Sequence, residues 1–249
     1  MRKIAILVAF VLPVFIRDKF LKLFALSLGK GFDLGLEKEF NLIKPHLNHN
    51  PKVLIDVGVN QGNYSDILIK NYPDALIYLF EPQKYLYDIL LKKYSLFDKI
   101  NLFNLALDEN KGEVSLVKGF EGDGLASIYK RRYLKNKKEL EEKVMCNRLD
   151  NIIFDQKIDF IKIDVEGNEM RVLYGMEKII HNIKVLQIEF GGTWIDSRFF
   201  YRDLYDYLKK YNFDLYRMSP NKLIKINIYE EIDEYFSFTN FVAINNLEI

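Results

Sequence analysis

Cysteine is almost absent: Cys146 is the only one in 249 residues, which excludes an internal disulfide and a Cys-rich zinc site. Histidine is scarce as well. The three, His46, His49 and His181, fall in expected loops or helix ends, so neither a His-rich metal site nor a catalytic histidine is expected. An excess of either charge is lacking. With 36 basic and 35 acidic residues the net charge is +1, which excludes a whole-molecule basic field, and no nucleic-acid partner is expected. Internal repeats and low-complexity tracts are also missing. What is present is 49% hydrophobic residues, with 19 Phe and 16 Tyr, enough to bury a sizeable core. The length suits one α/β domain.

The N terminus needs its own reading. Ile4 to Ile16 is a stretch of thirteen uncharged residues behind Arg2 and Lys3, and Arg17, Asp18 and Lys19 close it. A helix of that length covers roughly 20 Å, short of the ~30 Å hydrocarbon core, and Pro13 interrupts it, so a plain membrane span is disfavoured. Three readings stay open. One is a signal peptide, although no small-residue cleavage site follows Ile16. Another is a helix buried on the domain. The third joins the run to Phe20–Leu26 as an amphipathic anchor, with membrane-surface contact through residues 1–28. Residues 1–48 are accordingly set apart as a helical segment, and 49–249 as the main domain.

From Pro51 onward, short apolar runs alternate with helical patterns, which predicts a parallel sheet covered by helices on both faces. Strands are expected at Val53–Val57, Ala75–Phe80, Ile100–Leu105, Ile158–Asp164 and Val185–Phe190. A terminal pair follows at Phe213–Met218 and Phe238–Ile244, and Glu113–Lys118 reads as a short extra strand. Helices are expected at Tyr64–Asn71, Gln83–Tyr94, Met170–Ile180 and Phe199–Tyr211. Residues 119–127 form a glycine-rich loop of the kind that borders a substrate. Residues 130–143 are so highly charged that a solvated helix or loop is expected, with Arg131 and Arg132 as an anion-facing alternative.

In an open α/β sheet, ligands bind beyond the carboxyl ends of the strands. The polar residues at those ends are Asp56, Glu81, Asn104, Asp164 and Glu189. An ionised carboxylate among apolar strands needs a partner or a ligand. After Asp56 comes the turn Gly58-Val59-Asn60-Gln61-Gly62, then Tyr64 and Ser65. It lacks the three-glycine spacing of a dinucleotide fingerprint, which speaks against a nucleotide-dependent oxidoreductase. Glu81 could accept two hydrogen bonds from a ribose diol, and Pro82 ends the strand there. Lys162 and Asp164 share one face of a strand, so an ion pair is expected.

The motifs VLIDVGVNQGNYS (53–65), FEP (80–82), LD (149–150), DFIKIDVEGNE (159–169) and VLYG (172–175), with IEF (188–190) and NFVAI (240–244) in order, resemble the FkbM-type S-adenosylmethionine-dependent methyltransferases. The resemblance covers roughly residues 50 to 245. It implies a class I methyltransferase fold, a Rossmann-like α/β sheet of seven mostly parallel strands with a terminal antiparallel hairpin. It also implies S-adenosylmethionine as cofactor and O-methylation of a hydroxyl on a sugar-containing acceptor, such as a glycan, a glycolipid or a glycosylated metabolite. Asp56, Gly58, Asn60, Gly62, Tyr64, Ser65 and Asp164 would lie about the methionine part of the cofactor, Glu81 and Pro82 at the ribose, and Asn104 and Ala106 at the adenine. Asp164, Glu166 and Glu189 are the catalytic candidates, and Ser127, Lys162 and Trp194 the acceptor-side ones. No metal is expected, with a hard cation between Asp164 and Glu189 as the alternative. A cytosolic cofactor implies a cytoplasmic protein, with the anchor reading placing it at the inner face of a membrane. The non-enzymatic alternative is a membrane-attached binding module.

Overall fold

The computed structural model describes residues 13–131 and 139–247. Two helices come first, α1 (Val14–Ser27) and α2 (Leu36–Ile43). The central sheet then begins with β1 (Val53–Val57), α3 (Asn63–Asn71), β2 (Leu76–Phe80), α4 (Lys84–Lys93) and β3 (Ile100–Phe103). A three-stranded excursion follows: β4 (Ala106–Leu107), β5 (Gly112–Lys118) and β6 (Leu140–Asn147). The chain returns as β7 (Ile158–Ile163), α5 (Glu169–Tyr174), β8 (Ile183–Phe190), α6 (Thr193–Ser197), α7 (Tyr201–Lys210), β9 (Phe213–Met218), β10 (Leu223–Ile226) and β11 (Thr239–Asn245).

The large sheet runs β10-β9-β11-β8-β7-β1-β2-β3. β11 is antiparallel to both neighbours, and β10 pairs antiparallel with β9, so this sheet carries one edge strand beyond the seven expected. The pattern LIKI in β10 is too short and too interrupted by charge to stand out from the preceding turn. β1 is followed by β2 on one side and flanked by β7 on the other. That reversal of strand order opens a crevice at the carboxyl ends of β1 and β7.

Alternation along the strands separates two apolar layers. Val53, Ile55 and Val57 belong to the layer under α5 and α7, whereas Leu54 joins the layer with Phe40, Ile43 and Leu68. Membership of α2 in this second layer corrects the proposed division at residue 48: Phe40, Ile43 and Leu47 are core residues of the main domain. The charged stretch 130–143 also differs from expectation. Its last residues open β6, whose outward Glu and Lys positions alternate with inward Val144 and Cys146. Charge on the outer face hid the period of two.

Candidate active site

The turn after β1 is built on glycine. Gly58 has φ +83°, and a Cβ there would sit 1.8 Å from the Asp164 carbonyl oxygen. Only glycine lets the ends of β1 and β7 approach this closely. Gly62, at φ +81°, packs α3 against α4, because a Cβ would meet the Tyr94 hydroxyl at 2.4 Å. Between them Asn60 takes a left-handed conformation and donates its N–H to Glu81 Oε2 at 2.7 Å.

Glu81 is the hub of this corner. Its other oxygen accepts the Gln83 N–H at 2.9 Å. Burial pushes its pKa up to about 7, against the pull of these two backbone donors. Each carboxylate oxygen keeps a second lone pair for a ligand hydroxyl. Asn104 does not line the cleft. Its amide donates to the Glu81 and Pro82 carbonyls at 3.0 and 2.8 Å and braces the turn that aims Glu81.

Asp56 lies fully buried beneath this turn. Ser65 Oγ donates to its Oδ2 at 2.6 Å, while Oδ1 has no protein partner. Burial raises its pKa, opposed by the charge of Lys162, its neighbour across the β1–β7 ladder. Lys162 is itself buried and donates to Asp164 Oδ2 at 2.7 Å. Burial alone would depress the lysine, but Asp164, Asp56 and Glu189 outweigh it and hold the ammonium above its usual range. The Tyr64 ring lies 5.2 Å from that ammonium, and the Tyr64 hydroxyl donates to Gln187 at 2.6 Å.

Three carboxyl groups converge above the carboxyl ends of β7 and β8. Oxygens of Asp164, Glu166 and Glu189 lie within 4.8 Å of one another. Lys162 holds Asp164 ionised against the cost of its burial, whereas burial and the nearby Asp164 charge push Glu189 well up. Burial also raises Glu166, which accepts from Arg131 at 2.7 Å. Arg131 therefore faces Glu166, with Asp196 3.6 Å away, and not an external anion. Arg132 lies outside the described residues.

Two acceptor-side expectations need correction. Trp194 is only 1% exposed; its ring packs against Phe190 and its N–H donates to the Glu189 carbonyl at 3.1 Å, so no face is free to stack on a sugar. Ser127 is buried too. Its hydroxyl donates to the Glu166 carbonyl at 2.7 Å and accepts the Tyr129 N–H, tying the 119–131 loop to the carboxylate turn.

The main cleft runs from Gly58 and Asn60 past Glu81 to Leu105, Ala106 and Leu107, and encloses about 580 Å³ with its mouth included. Phe80, Leu116 and Ile128 give it apolar walls. Leu116, Ile128, Gln83 and Asn168 were not singled out from the sequence. The first two come from the three-stranded excursion, whose packing over the cleft no local pattern records. A second recess on the other side of Gly58 is lined by Tyr64, Lys162 and Asp164.

The profile described as the methyltransferase FkbM domain matches residues 56–215, which span this whole arrangement. The chain belongs to the FkbM methyltransferase family. The methyltransferase sdnD of Sordaria araneosa is 25% identical over 182 residues, covering 59% of this chain and 70% of that one. A candidate rRNA methylase of Clostridium thermocellum shares the fold, with a TM-score of 0.52 at 12% identity over 88% of this chain and 99% of that one. A candidate methyltransferase of Streptococcus mutans, solved with SAH, aligns at a TM-score of 0.48 and 12% identity over 84% and 96% of the two chains. The fold is that of the class I methyltransferases.

The cofactor of this FkbM-family chain is S-adenosylmethionine, and the residues present fit it. Asn60 Oδ1, Gln83 Oε1 and Asn168 Oδ1, on residues lining the cleft, are buried without partners, as is Asp56 Oδ1 beneath it. Glu81 is placed for a ribose diol, Leu105 to Leu107 border an apolar slot for a flat base, and the acidic floor suits a cation.

Proposed function

We propose that the chain transfers a methyl group to an alcohol oxygen of a sugar-containing acceptor. The observation that carries this reading is the trio Asp164, Glu166 and Glu189 beside the donor cleft. An alcohol is a poor nucleophile until its proton leaves, and a carboxylate in hydrogen-bond reach can contribute about 10²–10⁴-fold. Bound S-adenosylmethionine supplies an electrophilic methyl on a sulfonium centre. The chain's task is then to position the acceptor in line and to receive its proton. Asp164, kept ionised by Lys162, accepts that proton; Glu189, whose pKa burial and the Asp164 charge push well up, orients the acceptor oxygen.

Charge bookkeeping supports an acid–base trio over a hard cation site. Lys162 faces Asp164 and Arg131 faces Glu166, and burial with the Asp164 charge pushes the pKa of Glu189 well up. The two basic partners already offset part of the negative charge that such a cation requires.

The test is methyl transfer from labelled donor to a panel of sugars, lipid-linked sugars and non-sugar alcohols. An alkali-stable ether on a sugar supports the proposal, and an alkali-labile ester or an N-methyl product overturns it. In parallel, Asp164→Asn is expected to lower turnover about 10²–10⁴-fold with donor affinity changed much less. Near-normal turnover would remove Asp164 from the proton-accepting role.

A further inference from the structure

Helix α1 leaves the domain at the rim that carries the active site. The Gly31 N–H donates to the Phe238 carbonyl at 2.7 Å, and Lys30 Nζ to the Ile232 carbonyl at 3.1 Å. A Cβ on Gly29 would lie 1.7 Å from the carbonyl oxygen of Met218, the last residue of β9. Phe238 directly precedes Thr239 and Asn240, which pair with Phe190 and Glu189. The root of α1 is thus fastened beside the carboxyl end of β8.

Beyond that root most of the helix is exposed. Ala25 is its buried residue among those described, while Phe15, Phe20, Leu21, Leu23 and Phe24 are each more than half exposed. At about 100° per residue, Leu23, Phe20, Phe24, Leu28 and Leu21 fall within ~160° of arc, while Asp18, Lys19 and Lys22 share the ~100° opposite with Phe15 and Leu26, so apolar side chains reach both faces. Arg17 and Ser27 interrupt the apolar side, and the long stem of Arg17 lets its charge reach a polar layer. Ile195, Phe200 and Ile232 add exposed apolar side chains along the same rim. Upstream, residues 4–12 are uncharged and follow Arg2 and Lys3.

From these observations we infer that α1 and this rim form a membrane-facing surface whose occupant is the interfacial layer of an anionic bilayer. Exposed apolar side chains beside Arg17, Lys19 and Lys22, with Asp18 as the one acid of the helix, match what an anionic interfacial layer takes up. A second copy of the chain fits less well, because pairing through the apolar side would bury the charge of Arg17 against another apolar surface.

Flotation of the full chain with vesicles of phosphatidylcholine, alone and with phosphatidylglycerol, tests this. The chain is expected to rise with the anionic vesicles and much less with the neutral ones. Phe20→Glu combined with Phe24→Glu should weaken binding by about tenfold or more, and Ile232→Glu severalfold. Calorimetric binding of SAH at wild-type affinity shows that the variants are folded. The inference fails if wild type stays unbound to anionic vesicles, or if the double variant binds as well as wild type. It also fails if sedimentation shows a dimer that the same substitutions dissociate. Vesicle binding reports nothing about the acceptor, so this inference and the proposed reaction can fail separately.

Discussion

Buried carboxyl groups set the behaviour of single residues here. Glu169 is 1% exposed, and its Oε1 accepts the Val165 and Gly167 N–H groups at 3.2 and 3.0 Å while Oε2 has no partner. Burial pushes its pKa from 4.5 to about 8. The folded state then holds a proton that the unfolded chain gives up, so this group's contribution to stability declines as pH rises from about 4.5 to 8. Glu169→Gln keeps the acceptor oxygen and removes the titration. Urea unfolding should show the variant more stable than wild type above pH 8, by on the order of 2–4 kcal/mol, with the difference vanishing near pH 4.5. Parallel stability–pH curves for the two proteins would show that Glu169 does not titrate this way. Glu81 and Asp164 could be read from the sequence because acids at apolar strand ends are conspicuous. Glu39 could not. It lies on α2, is 2% exposed, and accepts from Gln187 and Asn240 at 2.9 Å each. An isolated glutamate in an amphipathic helix carries no local sign of such distant partners.

Elements are held at the site by close backbone approaches. The β1–α3 turn works because Gly58 combines a left-handed backbone with room for the Asp164 carbonyl. Gly58→Ala should therefore destabilise by about 3 kcal/mol or more, since the left-handed conformation alone costs ~1–2 kcal/mol and the clash cannot be relieved by a side-chain rotation. Chemical denaturation measures the loss, and SAH binding should fall with it. A cost under about 1 kcal/mol would mean that the strand ends can part freely. Strand and helix types were legible wherever apolar periodicity was long, as in β1, β2, β7, β8 and α7. β6 escaped because its solvent face is charged, and β10 because four residues carry too little pattern.

Across the whole molecule, the N-terminal region divides where packing stops, not where composition changes. Phe40 and Ile43 are wholly enclosed between α3 and the sheet, and Glu39 bridges to β8 and β11 through Gln187 and Asn240. A chain starting at residue 49 would expose this layer and leave Gln187 and Asn240 without their acceptor. It should lose its cooperative thermal transition, whereas removal of residues 1–24 should leave one within a few degrees of wild type. Calorimetry of both truncations decides the matter, and a cooperative melt from the shorter chain would restore the boundary at residue 48. Among the described residues, no helix is long and apolar enough to cross a membrane.

The sequence by itself determined the parallel α/β sheet, the acidic strand ends and the glycine turn, because period, charge and backbone freedom are local properties. It also carried the ordered motifs that mark the family. Tertiary structure decided which groups face one another. Arg131 meets Glu166 across 35 positions, Ser127 fastens the loop above it, and Trp194 turns into the core. Those pairings depend on how distant segments stack over the sheet, and no window along the chain contains both partners.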